Sequence, residues 1–131
     1  MPNISKWPKE RVGTCGEDVA VMYLKRQGYR IRARNVARKT GELDIVAQKG
    51  NVLHIVEVKT RLVNELPRPG EVRAFDPGSN LHSEKIRRVA RTGEWYVAEI
   101  GWEGDWQVDG LLVWLRARDA GAHVAHLPQI L

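Results

Sequence analysis

Gly41-Glu42-Leu43-Asp44-Ile45-Val46-Ala47-Gln48-Lys49-Gly50-Asn51-Val52-Leu53-His54-Ile55-Val56-Glu57-Val58-Lys59-Thr60-Arg61 is the stretch that decides the fold. Two runs rich in β-branched residues flank Gly50-Asn51. That dipeptide suits a two-residue hairpin loop, because Gly takes the positive φ such a turn demands. With these as the loop, Lys49 pairs with Val52. Counting outward, Ala47 faces His54, Asp44 faces Glu57 and Glu42 faces Lys59. Side chains alternate along a strand. The reading therefore puts Glu42, Asp44, Glu57 and Lys59 on one face, and Leu43, Ile45, Val56 and Val58 on the other.

Carboxylates directly opposed across a strand pair lie about 4.5–5.5 Å apart at Cβ, and like charges there destabilise the pair. The apolar neighbours half-bury them, where screening is weaker. Three things can offset the repulsion: a shared proton with one pKa raised, the nearby Lys59, or a divalent cation. Mg²⁺ takes carboxylate oxygens and keeps waters for chemistry. An Asp followed by Glu-x-Lys on the next strand is the set that metal-assisted phosphodiester hydrolysis requires. Carboxylates hold the ion, and the lysine orients water or steadies charge on the phosphorane.

Asp44, thirteen residues ahead of Glu57-Val58-Lys59, resembles the PD-(D/E)XK signature of restriction-endonuclease-like nucleases. The wider string is more specific. Gly16-Glu17-Asp18, Tyr23-Leu24, Gly28-Tyr29, Arg34-Asn35, Gly41 to Ala47 and Val56 to Arg61 together look like the bacterial YraN-type family, itself similar to archaeal Holliday-junction resolvases. The resemblance spans roughly residues 12–115. It implies a restriction-endonuclease-like α/β fold, a mixed β-sheet flanked by helices in the order α-β-β-β-α-β. It implies Mg²⁺ or Mn²⁺ at Asp44 and Glu57 with the Val58 carbonyl alongside, and Lys59 as the water-activating group. It implies a catalytic role for Glu17 on the first helix, branched or structured DNA as substrate, and a homodimer. The stretch 62–81 looks longer here than in that family.

At 131 residues the chain can bury the core of one domain, not two. Its 43% hydrophobic and 28% charged content are ordinary for a soluble globular protein. A net charge of +5 and a pI near 9.7 permit an anionic partner. One cysteine, Cys15, excludes an intramolecular disulfide and a Cys-rich zinc site. It fits a reducing cytoplasm, where we expect the protein. No apolar run reaches the length of a membrane span, and the first residues lack the apolar core of a signal peptide.

In chain order, residues 1–12 hold two prolines and no periodicity, and read as a loose lead-in to a nuclease-like domain over 13–131. Thr14 and Glu17 read as a capping box opening a helix that runs to about Gln27, with Gly28 as its stop. Glu17 thus has two readings: the reciprocal cap, or the active-site acid of the resemblance. From Tyr29 to Val36 the pattern alternates, with Arg30, Arg32 and Arg34 on the exposed side. This row is either a charged strand edge or a phosphate-tracking stripe. Seven basic residues and no acid lie between Lys25 and Lys39, which favours phosphate. Glu42 reads as the ion-pair partner of Lys59, and His54 as a packed strand histidine.

Residues 62–81 carry Pro67, Pro69, Pro77, Gly70 and Gly78, and read as a long loop overhanging the site, with Arg68, Arg73 and Phe75 available to DNA. Ser83 is the expected N-cap of a second helix ending near Ile100, with an apolar stripe of Ile86, Val89, Ala90, Gly93, Val97 and Ile100. Lys85, Arg87, Arg88 and Arg91 crowd its first turns, against the helix dipole, and together with Arg61 are expected to bind nucleic acid. Asp105 to Leu115 reads as a buried central strand, with Asp109 at a turn or bulge beside Gly110. Trp95, Trp102, Trp106 and Trp114 are expected in core and rim. Residues 119–131 offer a short edge strand. Three functions follow: a divalent-metal-dependent endonuclease, a non-catalytic nucleic-acid-binding module, or a small subunit that docks on a protein partner.

Overall fold

The computed structural model describes residues 2–68 and 83–131. Its elements are α1 (Lys9–Arg26), β1 (Arg30–Arg38), β2 (Gly41–Lys49), β3 (Val52–Val63), α2 (Ser83–Glu99), β4 (Asp105–Arg116) and β5 (Ala122–Leu127). The five strands form one mixed sheet in the order β1-β2-β3-β4-β5. β1, β2 and β3 are antiparallel neighbours, β3 and β4 run parallel, and β5 returns antiparallel to β4. A parallel pair needs a crossover connection; α2 lies in the one between β3 and β4.

The hairpin register follows the Gly50-Asn51 reading: Lys49 pairs with Val52 and Ala47 with His54, with Gly50 at φ 60°. The ladder then stops at Ile45 opposite Val56. Beyond that pair β2 stays with β1 as far as Gly41 opposite Arg38, while β3 stays with β4 as far as Val63 opposite Arg116. The sheet therefore forks at Asp44 and Glu57. Leu43, expected beside Ile45, Val56 and Val58, packs instead among the residues under α2, while those three pack under α1. The strand turns over where it leaves its neighbour.

Each face has its own core. Under α1, Val12, Ala20, Val21 and Leu24 meet Ile45, Ala47, Val56, Leu111, Val113 and Leu115. Under α2, Ile86, Val89, Tyr96 and Val97 meet Leu43, Val46, Leu53, Ile55 and Val108. Apolar residues at i, i+3 and i+4 make each helix amphipathic enough to cover one face. The expected stripe of α2 holds for Ile86, Val89, Gly93 and Val97; Thr92 and Tyr96 join it, and Ile100 falls outside the helix.

The amino-terminal expectations need correction. α1 begins at Lys9, with Pro8 at its N-cap, so Thr14 lies inside the helix and its hydroxyl donates to the Glu10 carbonyl at 3.0 Å. The residues ahead of it are held. Ile4 is fully buried, its N–H donates to the Ala117 carbonyl at 2.7 Å, and Trp7 packs on the α1 core. Proline is at home at a helix start, which is why Pro8 did not mean looseness there. At the other end Gly28 takes φ 90° after the last helical residue, as expected of a stop.

β1 carries a bulge between Ile31 and Ala33. One extra residue flips the side chains beyond it. Ile31 accordingly packs under α1 and Ala33 under α2, and Arg30, Arg32 and Arg34 do not form one row. β3 continues through Leu62 and Val63, so the irregular stretch starts two residues later than expected. Arg73 and Phe75 lie outside the described residues. β4 sits inside the sheet between β3 and β5, as its apolar run required, and β5 supplies the edge strand.

Candidate active site

The fork between β2 and β3 leaves the Val58 N–H without a β2 partner, and the Asp44 carboxylate takes it at 2.9 Å. Asp44 is thereby aimed across the gap at Glu57. Glu57 is only 3% exposed and faces the α2 side of the sheet. Its Oε1 is buried with no hydrogen-bond partner. Burial first, then the Asp44 charge and a hydrogen bond to Asp44, hold the Glu57 carboxyl far above the usual carboxylate range. Glu57 therefore favours its protonated form, and one of its oxygens lacks any partner.

Glu57 helps to line a cavity of about 250 Å³ together with Thr40, Asp44, Lys85, Arg88 and Thr92, among others. α2 supplies the basic wall. Lys85, Arg88 and Thr92 follow helical spacing and so face the same way, and the Thr92 hydroxyl is pinned to that of Thr40 at 2.7 Å. Lys85 and Arg88 make no ion pair among the described residues, and Lys85 acts on Glu57 at longer range.

α1 brings Glu17 from the other side. Gly16 is buried against Thr60 of β3, and a Cβ there would occupy the space of the Thr60 hydroxyl. The missing side chain lets the helix approach β3, carrying Glu17 toward Asp44. Burial first, then the charges of Asp44, Glu42 and Asp18, raise the Glu17 pKa, with Arg34 opposing them. With Thr14 in mid-helix and its hydroxyl bonded to the Glu10 carbonyl, the reciprocal cap reading of Glu17 falls, and its nearness to Asp44 remains.

Lys59 is two residues beyond Glu57 on β3. Its expected ion pair to Glu42 is not formed among the described residues, because β2 has already left β3: Glu42 pairs with Ala37, and Lys59 with Leu112. Partial burial first, then Lys9, Lys85 and Arg61, lower its pKa. Several cations from three elements thus crowd one edge of an acidic pair.

The β1 arginines are partly spoken for. Arg34 pairs with Asp18 at 2.8 Å, and Arg32 donates to Gln48 at 2.7 Å and lies over the Trp102 ring at 5.5 Å. Arg30 is exposed. On α2, Arg87, Arg88 and Arg91 are exposed and make no ion pair among the described residues. The basic residues expected to bind nucleic acid therefore divide, and of the α2 group Lys85 and Arg88 line the cavity with the acids.

Two features escaped the sequence reading. Asp109 forms no turn or bulge: it pairs in regular register beside Val56 and is fully buried. Its Oδ2 accepts from His54 Nδ1 at 2.7 Å and His126 Nε2 at 2.9 Å; its Oδ1 accepts from the Gln107 amide at 2.8 Å and the Gln129 N–H at 2.9 Å. Burial pushes its pKa up, and these bonds outweigh burial and hold it below the usual range. His54 is packed, as expected, with Tyr29 edge-on at 4.9 Å. The second feature is Trp95, which is 67% exposed rather than in core or rim. The helical stripe Ile86, Val89, Gly93 and Val97 was the signal available: Trp95 falls off it.

The residues present suit a hard divalent cation in one respect: an orphaned buried carboxylate oxygen beside a second carboxylate. Among the described residues no three His, Cys, Asp or Glu side chains gather as a ready-made cage. Mg²⁺ and Mn²⁺ sites with one or two carboxylates and bound waters need none.

The fold and site define a mixed α/β protein with a buried Glu57 beside Asp44 in a cleft walled by Lys85 and Arg88. The chain belongs to the uncharacterised protein family UPF0102, the YraN-type family, whose model matches residues 16–113. It is 44% identical over 93 residues to a UPF0102 protein of Symbiobacterium thermophilum, covering 71% of this chain and 72% of the relative. A UPF0102 protein of Syntrophotalea carbinolica is 36% identical over 122 residues, covering 89% and 88%. One of Campylobacter jejuni subsp. doylei is 34% identical over 97 residues, covering 74% and 78%. No helix of the described residues is long and apolar enough to cross a membrane.

Proposed function

We propose that this protein is a divalent-metal-dependent endonuclease of the restriction-endonuclease-like PD-(D/E)XK type, similar to archaeal Holliday-junction resolvases and acting on branched or structured DNA. The observation that carries the reading is the buried, unpartnered Oε1 of Glu57, a residue that lines a cation-walled cleft together with Asp44. Buried polar atoms are nearly always satisfied, so an orphan at a cleft points to a ligand. Asp44 and Glu57, with the Val58 carbonyl alongside, would hold Mg²⁺ or Mn²⁺, which supplies charge against the phosphorane and a water of lowered pKa.

The chain's own groups do the rest. Asp44 is fixed by the Val58 N–H and cannot swing away. Glu57, with its raised pKa, would release its proton to water before its carboxylate could hold the cation. Lys85 and Arg88 hold the phosphate in the cleft. Lys59, whose pKa partial burial and neighbouring cations lower, places a cation beside the attacked phosphate and the water. Glu17 orients water at Asp44. A homodimer would present two such clefts to a junction.

The binding-module reading has one argument behind it: a Glu57 carboxyl raised in pKa can stay protonated and so relieve its repulsion with Asp44. Single-turnover cleavage of a four-way junction in Mg²⁺ or Mn²⁺ separates the two. Lys59→Met is expected to slow cleavage by about 10²-fold, the size of losing one positioned acid–base or electrostatic group, while DNA affinity and melting temperature stay near wild type. Wild type that cleaves no junction, flap or single strand, yet binds them, leaves the binding module standing.

A further inference from the structure

We propose that Trp95 is a stacking platform for an unpaired base, and that the substrate strand runs along the exposed ridge of α2 from the acidic cleft to this ring. The inference rests on the nucleic-acid part of the proposed function and names what that substrate must contain.

An exposed tryptophan alone means little, since much of any protein surface is apolar. Three observations set Trp95 apart. First, its ring has no aromatic or cationic partner among the described residues, whereas Trp7 lies under Arg11, Trp102 under Arg32 and Trp114 beside His123. Secondly, it continues a row of cations. Arg87, Arg91 and Trp95 follow at i, i+4 and i+8, one stripe of the helix. Arg88, which lines the cleft, stands seven residues before Trp95 and so shares its side of the helix. Thirdly, a hollow of about 270 Å³ lies at the ring, bounded by Glu94, Trp95 and Ala98.

The charge order fixes which part of a nucleotide goes where. Over its first turns α2 carries Lys85, Arg87, Arg88 and Arg91 against Glu84, which suits phosphates. At the hollow, Glu94 repels a phosphate, and the indole with Ala98 offers an apolar floor. A neutral base fits there and a backbone phosphate does not. At a rise of about 1.5 Å per residue, Trp95 stands about 10 Å along the helix from Arg88. A stacked strand advances about 3.4 Å per nucleotide, so the ring meets a base about three nucleotides from the cleft. Base faces are hidden in a duplex. The occupant is therefore an unpaired strand, such as the splayed arm of a flap or an opened junction.

The test is equilibrium anisotropy in EDTA, with a labelled single-stranded oligonucleotide and a hairpin-capped duplex of the same sequence. Trp95→Ala is expected to weaken single-strand binding about tenfold, the usual loss for one stacked base. Duplex affinity and melting temperature should stay unchanged, and Trp95→Phe should retain most of the single-strand affinity. Trp95→Ala that binds the single strand like wild type, or loses both ligands equally, overturns the proposal. No ion is needed, so an inactive enzyme that shows this pattern removes the nuclease reading and leaves the platform. Wild type that binds neither oligonucleotide removes both.

Discussion

Asp109 and Glu57 are both buried carboxyl groups on adjacent strands. Asp109 stands beside Val56 in the β3–β4 register, and Glu57 is the next residue of β3. One residue step puts them on opposite faces of the sheet. Asp109, on the α1 face, has four donors and keeps its charge. Glu57, on the α2 face, has an oxygen with no donor and a neighbour of like charge, and it keeps a proton. A buried charge with every lone pair engaged reads as structure. A buried acid left short of partners beside a cleft reads as a place where something else binds.

That contrast breaks most visibly at Asp109. Asp109→Ala leaves two histidines, an amide and the Gln129 N–H without their acceptor. The expected loss is about 3 kcal/mol or more, read from urea denaturation. DNA cleavage per folded molecule should not change, because the carboxylate faces away from the cleft. A variant of normal stability would mean that the four bonds contribute little.

The two acids should also give opposite pH limbs. Asp109 has a folded pKa below its ordinary 3.8, so its contribution is present above that pH and is lost as acid protonates it. Glu57 has a folded pKa raised from 4.5 to about 9. Between those values the folded state holds a proton that the unfolded state has lost. Its contribution is present below about pH 4.5 and declines as pH rises toward 9, by at most about 1.4 kcal/mol per pH unit. Melting curves without metal should show this alkaline decline. Glu57→Gln should flatten it, and Mn²⁺ should stabilise wild type increasingly as pH rises, since the ion needs the deprotonated pair. Equal slopes for wild type and Glu57→Gln would sink the protonated-Glu57 account.

The smallest effect separates the arginines. Arg34 and Asp18 form an exposed pair, 35% and 59% accessible, so Arg34→Ala should cost less than about 1 kcal/mol. It should leave the salt dependence of DNA binding alone. Arg88→Ala should reduce that log–log slope by about 1, one phosphate contact. The reverse pattern would move the phosphate track to β1.

The order of elements, the hairpin and its register were legible in the sequence. Turn chemistry, β-branched runs and helical spacing are local signals, and Gly50-Asn51 alone sets which residues of β2 and β3 oppose each other. Counting put Asp44 directly opposite Glu57, but the ladder ends one pair short of them, and Asp44 reaches Glu57's neighbour across the fork by accepting from the Val58 N–H. The family was legible for the same reason, being carried by the spacing of a few residues. What failed was everything that depended on where pairing stops. The lost Glu42–Lys59 ion pair, the turned-over Leu43 and the split arginine row come from a fork and a bulge, which one-dimensional alternation does not register. Asp109 looked like a turn residue, because its four donors arrive from β3, β4, β5 and the segment beyond it. Local pattern determines which elements form and which side chains share a face. Tertiary packing alone decided which buried acid is satisfied, because hydrogen-bond partners brought from distant parts of the chain leave no mark on their neighbours in sequence.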